Sequence, residues 1–202
     1  MAARGPSKGS ETRQKIIDKC AHLFSVKGYY NTSVADIMAE TGLTKGGLYG
    51  HFQSKEDMWY AVYDKAVLIW REIVFKDVEQ IEDPMERIEQ VLRNDLNNYI
   101  GANTFTGGCF FLNMLVELSG QSRSMSRHVL DGFIGFSKLI NRWLKEADSK
   151  GMLKPDLNFA EIASFVIISI NGCAALYTAT RDPKLWELTL TQLSFYFRQL
   201  KK

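Results

Sequence analysis

The sequence predicts an all-α fold of about nine helices, a three-helix helix-turn-helix domain at the N-terminus followed by a larger helical domain. Three observations predict it. No stretch alternates apolar and polar residues as a half-buried strand would, and there is no internal repeat or low-complexity segment. Apolar side chains return instead at helical spacing, as in Ile16, Ile17, Cys20, Ala21 and Phe24. Helix-start signals recur: Ser33 with Asp36, Asp83-Pro84 with Glu86, and Asn158 with Glu161.

The first helix runs from about Glu11 to Val26. Ser33 starts the second, which Gly42 ends, because glycine accepts the left-handed conformation that turns the chain. Thr44 caps the third, and Ser54 with Asp57 caps a fourth reaching about Phe75. Pro84, at a first helical position, opens a fifth that continues to Ile100. A sixth spans about Cys109 to Leu118 after the break at Gly107-Gly108, and a long seventh runs from about Ser124 to Ser149. The eighth follows Asn158 and ends at Asp182-Pro183, from which the ninth runs to about Leu200.

Two short helices joined at Gly42 are what a DNA-binding helix-turn-helix requires, its second helix lying in the major groove. Leu43, Leu48 and Phe52 fit the anchors of that helix, while Lys45, Gly46, Gly47, Tyr49 and His51 fit its outward face. Glycines inside a helix cost about 1 kcal/mol each relative to alanine. Close approach to DNA would explain Gly46 and Gly47; the alternative is that they merely form a loop. Lys55 stands where the amides of a helix start attract phosphate, or is simply a solvated lysine.

Thr12-Arg13 before an amphipathic helix, Phe24, Gly28-Tyr29, Thr32-Ser33-Val34, the run from Lys45 to Phe52 and Ser54-Lys55-Glu56 together resemble the tetracycline-repressor (TetR) family of bacterial transcription regulators. The match is specific over roughly residues 10 to 60, and the rest agrees in length and helical layout. Gly47 departs from the many relatives with threonine, serine or alanine there. The resemblance implies a cytoplasmic homodimeric regulator, a repressor in first place, that binds two-fold double-stranded operator DNA and is released by a small-molecule effector. It implies a DNA-binding domain at residues 1–55, with a flexible arm at 1–9, and a ligand-binding and dimerisation domain at 56–202. It adds Arg13, Thr32, Ser33 and Lys55 to the DNA-binding residues, assigns Tyr49 and His51 to the DNA backbone, and leaves Thr44 and Lys45 as the candidates for base edges.

By the same resemblance, Trp70, Tyr99, Cys109, Phe110, Asn113, Met114, Glu117, Phe133, Phe136 and Phe165 belong to the helices that enclose an effector cavity. The aromatics fit a plain core equally, and Asn113 and Glu117 fit a solvent face. Cys109 resembles the cysteine of electrophile-responsive relatives, since a helix start stabilises a thiolate; a buried inert thiol is the alternative. Small residues Ser164, Ser169, Gly172 and Ala175 permit close helix approach, and Trp186, Leu193, Tyr196 and Phe197 supply apolar surface. In the resembled family the last two helices pair with their symmetry mates, although some of these side chains must serve the protomer's own core.

Composition agrees with these expectations. Of 202 residues 46% are hydrophobic, enough for a substantial core. Residues 1–55 hold eight Lys/Arg against four Asp/Glu, whereas the remainder is slightly acidic, which suits a DNA-binding head on a neutral body. Three scattered cysteines suggest neither zinc site nor disulfide framework, and the start carries no secretory pattern. Ile162 to Thr180 is free of charge for 19 residues, yet its serines, threonines and asparagine point to a helix packed on all sides rather than one in a membrane. No nucleophile elbow, phosphate loop or histidine cluster is present, so neither catalysis nor a cofactor nor a metal is expected. The rival class is a cytosolic all-helical small-molecule-binding protein or enzyme without DNA binding.

Overall fold

In the computed structural model, which describes residues 8–202, nine α-helices and no strand are found among the described residues. They are α1 (Lys8–Lys27), α2 (Val34–Thr41), α3 (Lys45–Tyr49), α4 (Lys55–Val74), α5 (Pro84–Arg93), α6 (Phe110–Leu118), α7 (Arg123–Ser149), α8 (Phe159–Thr180) and α9 (Lys184–Leu200). Residues 1–7 of the expected arm lie outside the described residues, and Lys8 and Gly9 already belong to α1. The chain divides into two compact units between Ile69 and Trp70, a point inside α4.

The first unit is built on local signals that the sequence carries openly. Ser33 and Asp36 form a reciprocal cap at α2: the Asp36 amide donates to Ser33 Oγ at 3.1 Å, and the Ser33 amide donates to Asp36 Oδ2 at 2.8 Å. Gly42 ends α2 at φ 72°, its amide donating to the Met38 carbonyl at 2.9 Å. Ile16, Phe24, Ile37, Leu48, Met58, Trp59 and Val62 have no exposed surface and form the core. Burying each such side chain stabilises the fold by about 1.5–3 kcal/mol. Lys65 of α4 and Asp18 of α1 add an ion pair.

In the second unit α7 packs against α5, α6 and α8, while α9 lies on α8 and α5. Arg87 of α5 reaches Glu146 of α7 at 2.9 Å, and Lys150 shares that carboxylate at 2.9 Å. Here the structure departs from the expected fifth helix. α5 ends at Arg93, and Asn94–Ile100 continue as a π-helix. Asn94 is buried there: its Nδ2 donates to the carbonyls of Val74 and Lys76, each at 3.0 Å, and so completes the end of α4. Gly108 follows at φ 95°, where a Cβ would lie 2.2 Å from Thr178 Oγ1, so only glycine fits the break before α6.

α8 corrects a second expectation. By length and composition it could cross a membrane, its most apolar window having a mean hydropathy of 1.8, but only 33% of that window is buried. It is therefore not packed on all sides: one face meets α7 and α9, and Phe165, Ile168 and Leu176 stand 48%, 70% and 58% exposed.

Candidate functional site

α3 is short, and its orientation depends on its anchors. Leu48 has no exposed surface and Phe52 nearly none, so the helix is pinned along one side. On the other side Thr44, Lys45, Gly46 and Tyr49 are exposed, with Gly47 and His51 half-buried at the margin. Thr44 is occupied as the cap, its Oγ1 accepting from the Gly47 amide at 3.2 Å, which fixes the start of the helix. A Cβ on Gly46 would meet nothing within 4 Å, and one on Gly47 only Thr44 and Leu43 at 3.4 and 3.8 Å. The fold itself does not require either glycine. The loop alternative is not what is observed, since both lie within α3.

Around that helix the expected residues divide. Arg13 is exposed and its guanidinium lies 4.6 Å from the centre of the Phe52 ring, so a cation sits beside the end of α3. Ser33 is exposed but its hydroxyl donates to Asp36 Oδ2 at 2.6 Å. Asp36 is held far below the usual carboxylate range by hydrogen bonds from Lys27 and then Ser33. Thr32 and Lys55 depart from the expected surface. Thr32 has no exposed area and donates to the Gly28 carbonyl at 2.6 Å. Lys55 Nζ donates to the carbonyls of Tyr29 at 2.9 Å and Thr32 at 3.0 Å, and lies 4.1 Å from the Tyr29 ring centre. Each satisfies buried backbone oxygens at the turn between α1 and α2, a local need that outweighs display to solvent.

In the second unit Trp70 is the hub of an aromatic cluster. Its ring meets Phe75, Phe111 and Phe136 at centroid distances of 5.5, 6.3 and 5.1 Å, all three standing nearly perpendicular to it. Tyr99 stacks on Phe111 at 6.2 Å and meets Phe105, which in turn meets Phe110. Trp70 Nε1 donates to Asp95 Oδ1 at 2.8 Å. Asp95 is 7% exposed, and burial raises its carboxyl to about 6 despite the indole hydrogen bond. Sequence reading missed Asp95, although the signal was present: it falls in the apolar stripe of Ile88, Val91, Leu92, Leu96 and Tyr99.

The remaining pocket candidates scatter. Phe110 and Met114 are buried core, Phe133 and Glu117 are half-buried, and Asn113 donates to the Gly107 carbonyl at 2.7 Å, bracing the loop before α6. Phe165 is not inward at all: it is 48% exposed on α8 and meets Tyr196 at 5.2 Å. Cys109 stands at the N-cap position of α6, where the Leu112 amide lowers its thiol, yet burial pushes that thiol up to about 12, with the Asp95 charge adding to the rise. Desolvation outweighs the helix-start effect, and the inert alternative is the one the geometry favours.

Of the residues expected at a helix-pairing surface, Ser164, Gly172 and Ala175 are exposed and Ser169, Trp186 and Tyr196 half-buried. Leu193 and Phe197 are instead buried in the protomer's own core, at 3% and 0% exposure. The outer face also carries Ile168 and Leu176 on α8 and Leu188 and Phe195 on α9, which sequence reading did not single out. Between α8 and α9 lies an open apolar groove of about 450 Å³.

Residues 16–62 match the family described as bacterial regulatory proteins, tetR family, and residues 84–193 match the tetracyclin repressor-like C-terminal domain. The chain belongs to the TetR family. Similar proteins include the HTH-type transcriptional repressor DhaR of Mycobacterium sp. (strain GP1), 29% identical over 79% of both chains. A TetR regulator of Chloroflexus aurantiacus is 29% identical, superposes with a TM-score of 0.88 and is covered over 98% of its length, as 96% of this chain is. One from Cytophaga hutchinsonii is 25% identical with a TM-score of 0.87, covering 98% of each chain. The protein is accordingly a ligand-responsive, DNA-binding transcriptional regulator and not an enzyme, of a family whose members bind operator DNA, typically as dimers.

Proposed function

We propose that the chain is a cytoplasmic homodimeric repressor, with residues 1–55 as its DNA-binding domain and 56–202 as its ligand-binding and dimerisation domain. The observation that carries the DNA assignment is α3, where the fully buried Leu48 stands against the exposed Thr44, Lys45, Gly46 and Tyr49. Such a helix enters the major groove, with Thr44 and Lys45 at base edges and Tyr49, His51, Ser33 and Arg13 on the backbone. Gly46 and Gly47 keep its surface low where the duplex comes closest.

The exposed apolar face of α8 and α9 supports the homodimer: Ile168, Leu176, Leu188 and Phe195 are each more than half exposed. Contiguous apolar surface of this kind marks an interaction site, and Gly172 and Ala175 let a second copy approach closely. Two joined heads then read both halves of a symmetric operator. Effector bound in the second unit changes the spacing of the heads and weakens DNA binding by a coupling of about 1–3 kcal/mol.

Selection from a pool of random duplexes tests this reading. Enrichment of a two-fold symmetric sequence bound by an even number of protomers is expected; failure to enrich any sequence contradicts it.

A further inference from the structure

We propose that the effector is an organic cation, its charge neutralised by the buried Asp95 carboxylate and its body enclosed by Trp70, Phe111 and Phe136. The inference rests on the reading of the second unit as effector-binding and names the class of ligand it takes.

Three observations carry it. The first is a carboxylate in an apolar place. Asp95 is 7% exposed, and among the described residues no lysine, arginine or histidine forms an ion pair with it. Its one described hydrogen bond comes from the neutral indole of Trp70. A buried carboxylate without a cation is costly, so a site that keeps one gains most from a ligand that brings the opposite charge.

The second observation is the shape of the surroundings. Phe75, Phe111 and Phe136 meet Trp70 at interplanar angles of 81°, 82° and 81°. One ring with several others standing upright around it presents π faces and edges in several directions, the arrangement that attracts ammonium groups by their quadrupoles. Because the indole nitrogen of Trp70 holds Asp95 at 2.8 Å, ring cluster and carboxylate form one constellation.

The third is the backbone. Asp95 lies in the π-helical turn Asn94–Ile100, a rare geometry that is frequent at functional sites. Within that turn Asn94 closes α4 and accepts from Gln90 and Asn98 at 3.0 and 3.2 Å, while Asp95 turns to the Trp70 indole. The thiols of Cys109, at the start of α6, and Cys173, on α8, both feel its charge. Burial raises both, so near neutral pH they stay uncharged and the carboxylate is the only one of the three to ionise.

Titration calorimetry of the full chain without DNA tests the proposal, using benzyltrimethylammonium as probe and neopentylbenzene as its uncharged isostere. The cation should bind about tenfold or more tightly than the isostere. Asp95→Asn, which keeps an oxygen for the Trp70 donor, should remove that preference. Phe136→Leu should weaken the cation several-fold and leave the isostere nearly unchanged. Cation affinity should also fall as pH drops from about 8 to about 5 and Asp95 takes up a proton. Failure of the wild type to bind the cation, equal affinity for cation and isostere, or an unchanged preference in Asp95→Asn overturns the proposal. Because the titration contains no DNA, such a failure is separable from failure of the repressor reading, which duplex selection reports.

Discussion

The indole N–H of Trp70, near the end of α4, donates to Oδ1 of Asp95 across 2.8 Å and joins that helix to the π-helical turn of the second unit. This is a neutral donor on an acid in an apolar place: burial raises the acid, and the indole hydrogen bond opposes that rise without overcoming it.

A pH dependence follows from it. Asp95 titrates at about 6 in the folded chain against 3.8 when free. The folded state therefore takes up a proton first as pH falls, so the contribution of this group to stability is fully present below 3.8 and is lost as pH rises through about 6. Its full size is about 3 kcal/mol at most. Asp95→Asn should stabilise the chain at neutral pH by about 1–3 kcal/mol and flatten its melting temperature between about pH 7 and pH 5. Asp18, Asp36, Glu40 and Glu146, all held below their ordinary values, titrate below that window. Thermal denaturation across the range, wild type against variant, measures it.

Stability and DNA affinity should move in opposite directions at Gly46. Open space surrounds a Cβ there, so Gly46→Ala should stabilise the head by about 0.5–1 kcal/mol. The same methyl group stands between α3 and the duplex, and operator affinity should fall about tenfold. Melting curves and fluorescence anisotropy on one preparation report both; a stabilised variant with undiminished affinity would remove Gly46 from the interface.

The two lysines of the motif should separate cleanly. Lys55→Ala strips two carbonyls of a charged donor and should cost about 1.5–3 kcal/mol of stability. Lys45→Ala should leave the melting temperature unchanged and instead weaken DNA binding. Should Lys45 also neutralise a phosphate, the slope of log affinity against log salt would shrink by about 0.9.

Ile168, 70% exposed on α8, probes the pairing face. Ile168→Glu should give monomers by light scattering while the circular dichroism stays that of the folded chain, because the protomer covers little of the side chain. A dimer of undiminished strength would move the interface elsewhere.

Thiol chemistry supplies a further check. With its thiol pushed up to about 12, Cys109 should react with iodoacetamide at neutral pH far more slowly than a free cysteine, and at the ordinary rate once unfolded.

Much of the head was legible because its signals are local. Ser33 with Asp36, Gly42 and Thr44 each act within a few residues of chain, and all three appear as expected. Lys55 was not, since its partners are carbonyls 26 and 23 residues away, nor was Thr32, because polar residue type alone cannot distinguish a bracket from a surface contact. The π-helical turn was hidden for a similar reason: Asn94 draws the backbone toward Val74 and Lys76, 20 and 18 residues earlier. On α8 and α9 helical spacing found apolar residues but not their sides. Phe165 of α8 went outward, because every face of that helix is apolar and periodicity then carries little direction, whereas Leu193 and Phe197 of α9 went inward.

The most direct test of the account compares duplex selection with wild type and with Lys45→Ala. If α3 reads bases from two symmetric heads, the wild-type consensus will be two-fold, and the variant will lose preference at one position in each half-site while the rest persists. An identical consensus from both proteins, or a wild type that enriches no symmetric sequence, would contradict it.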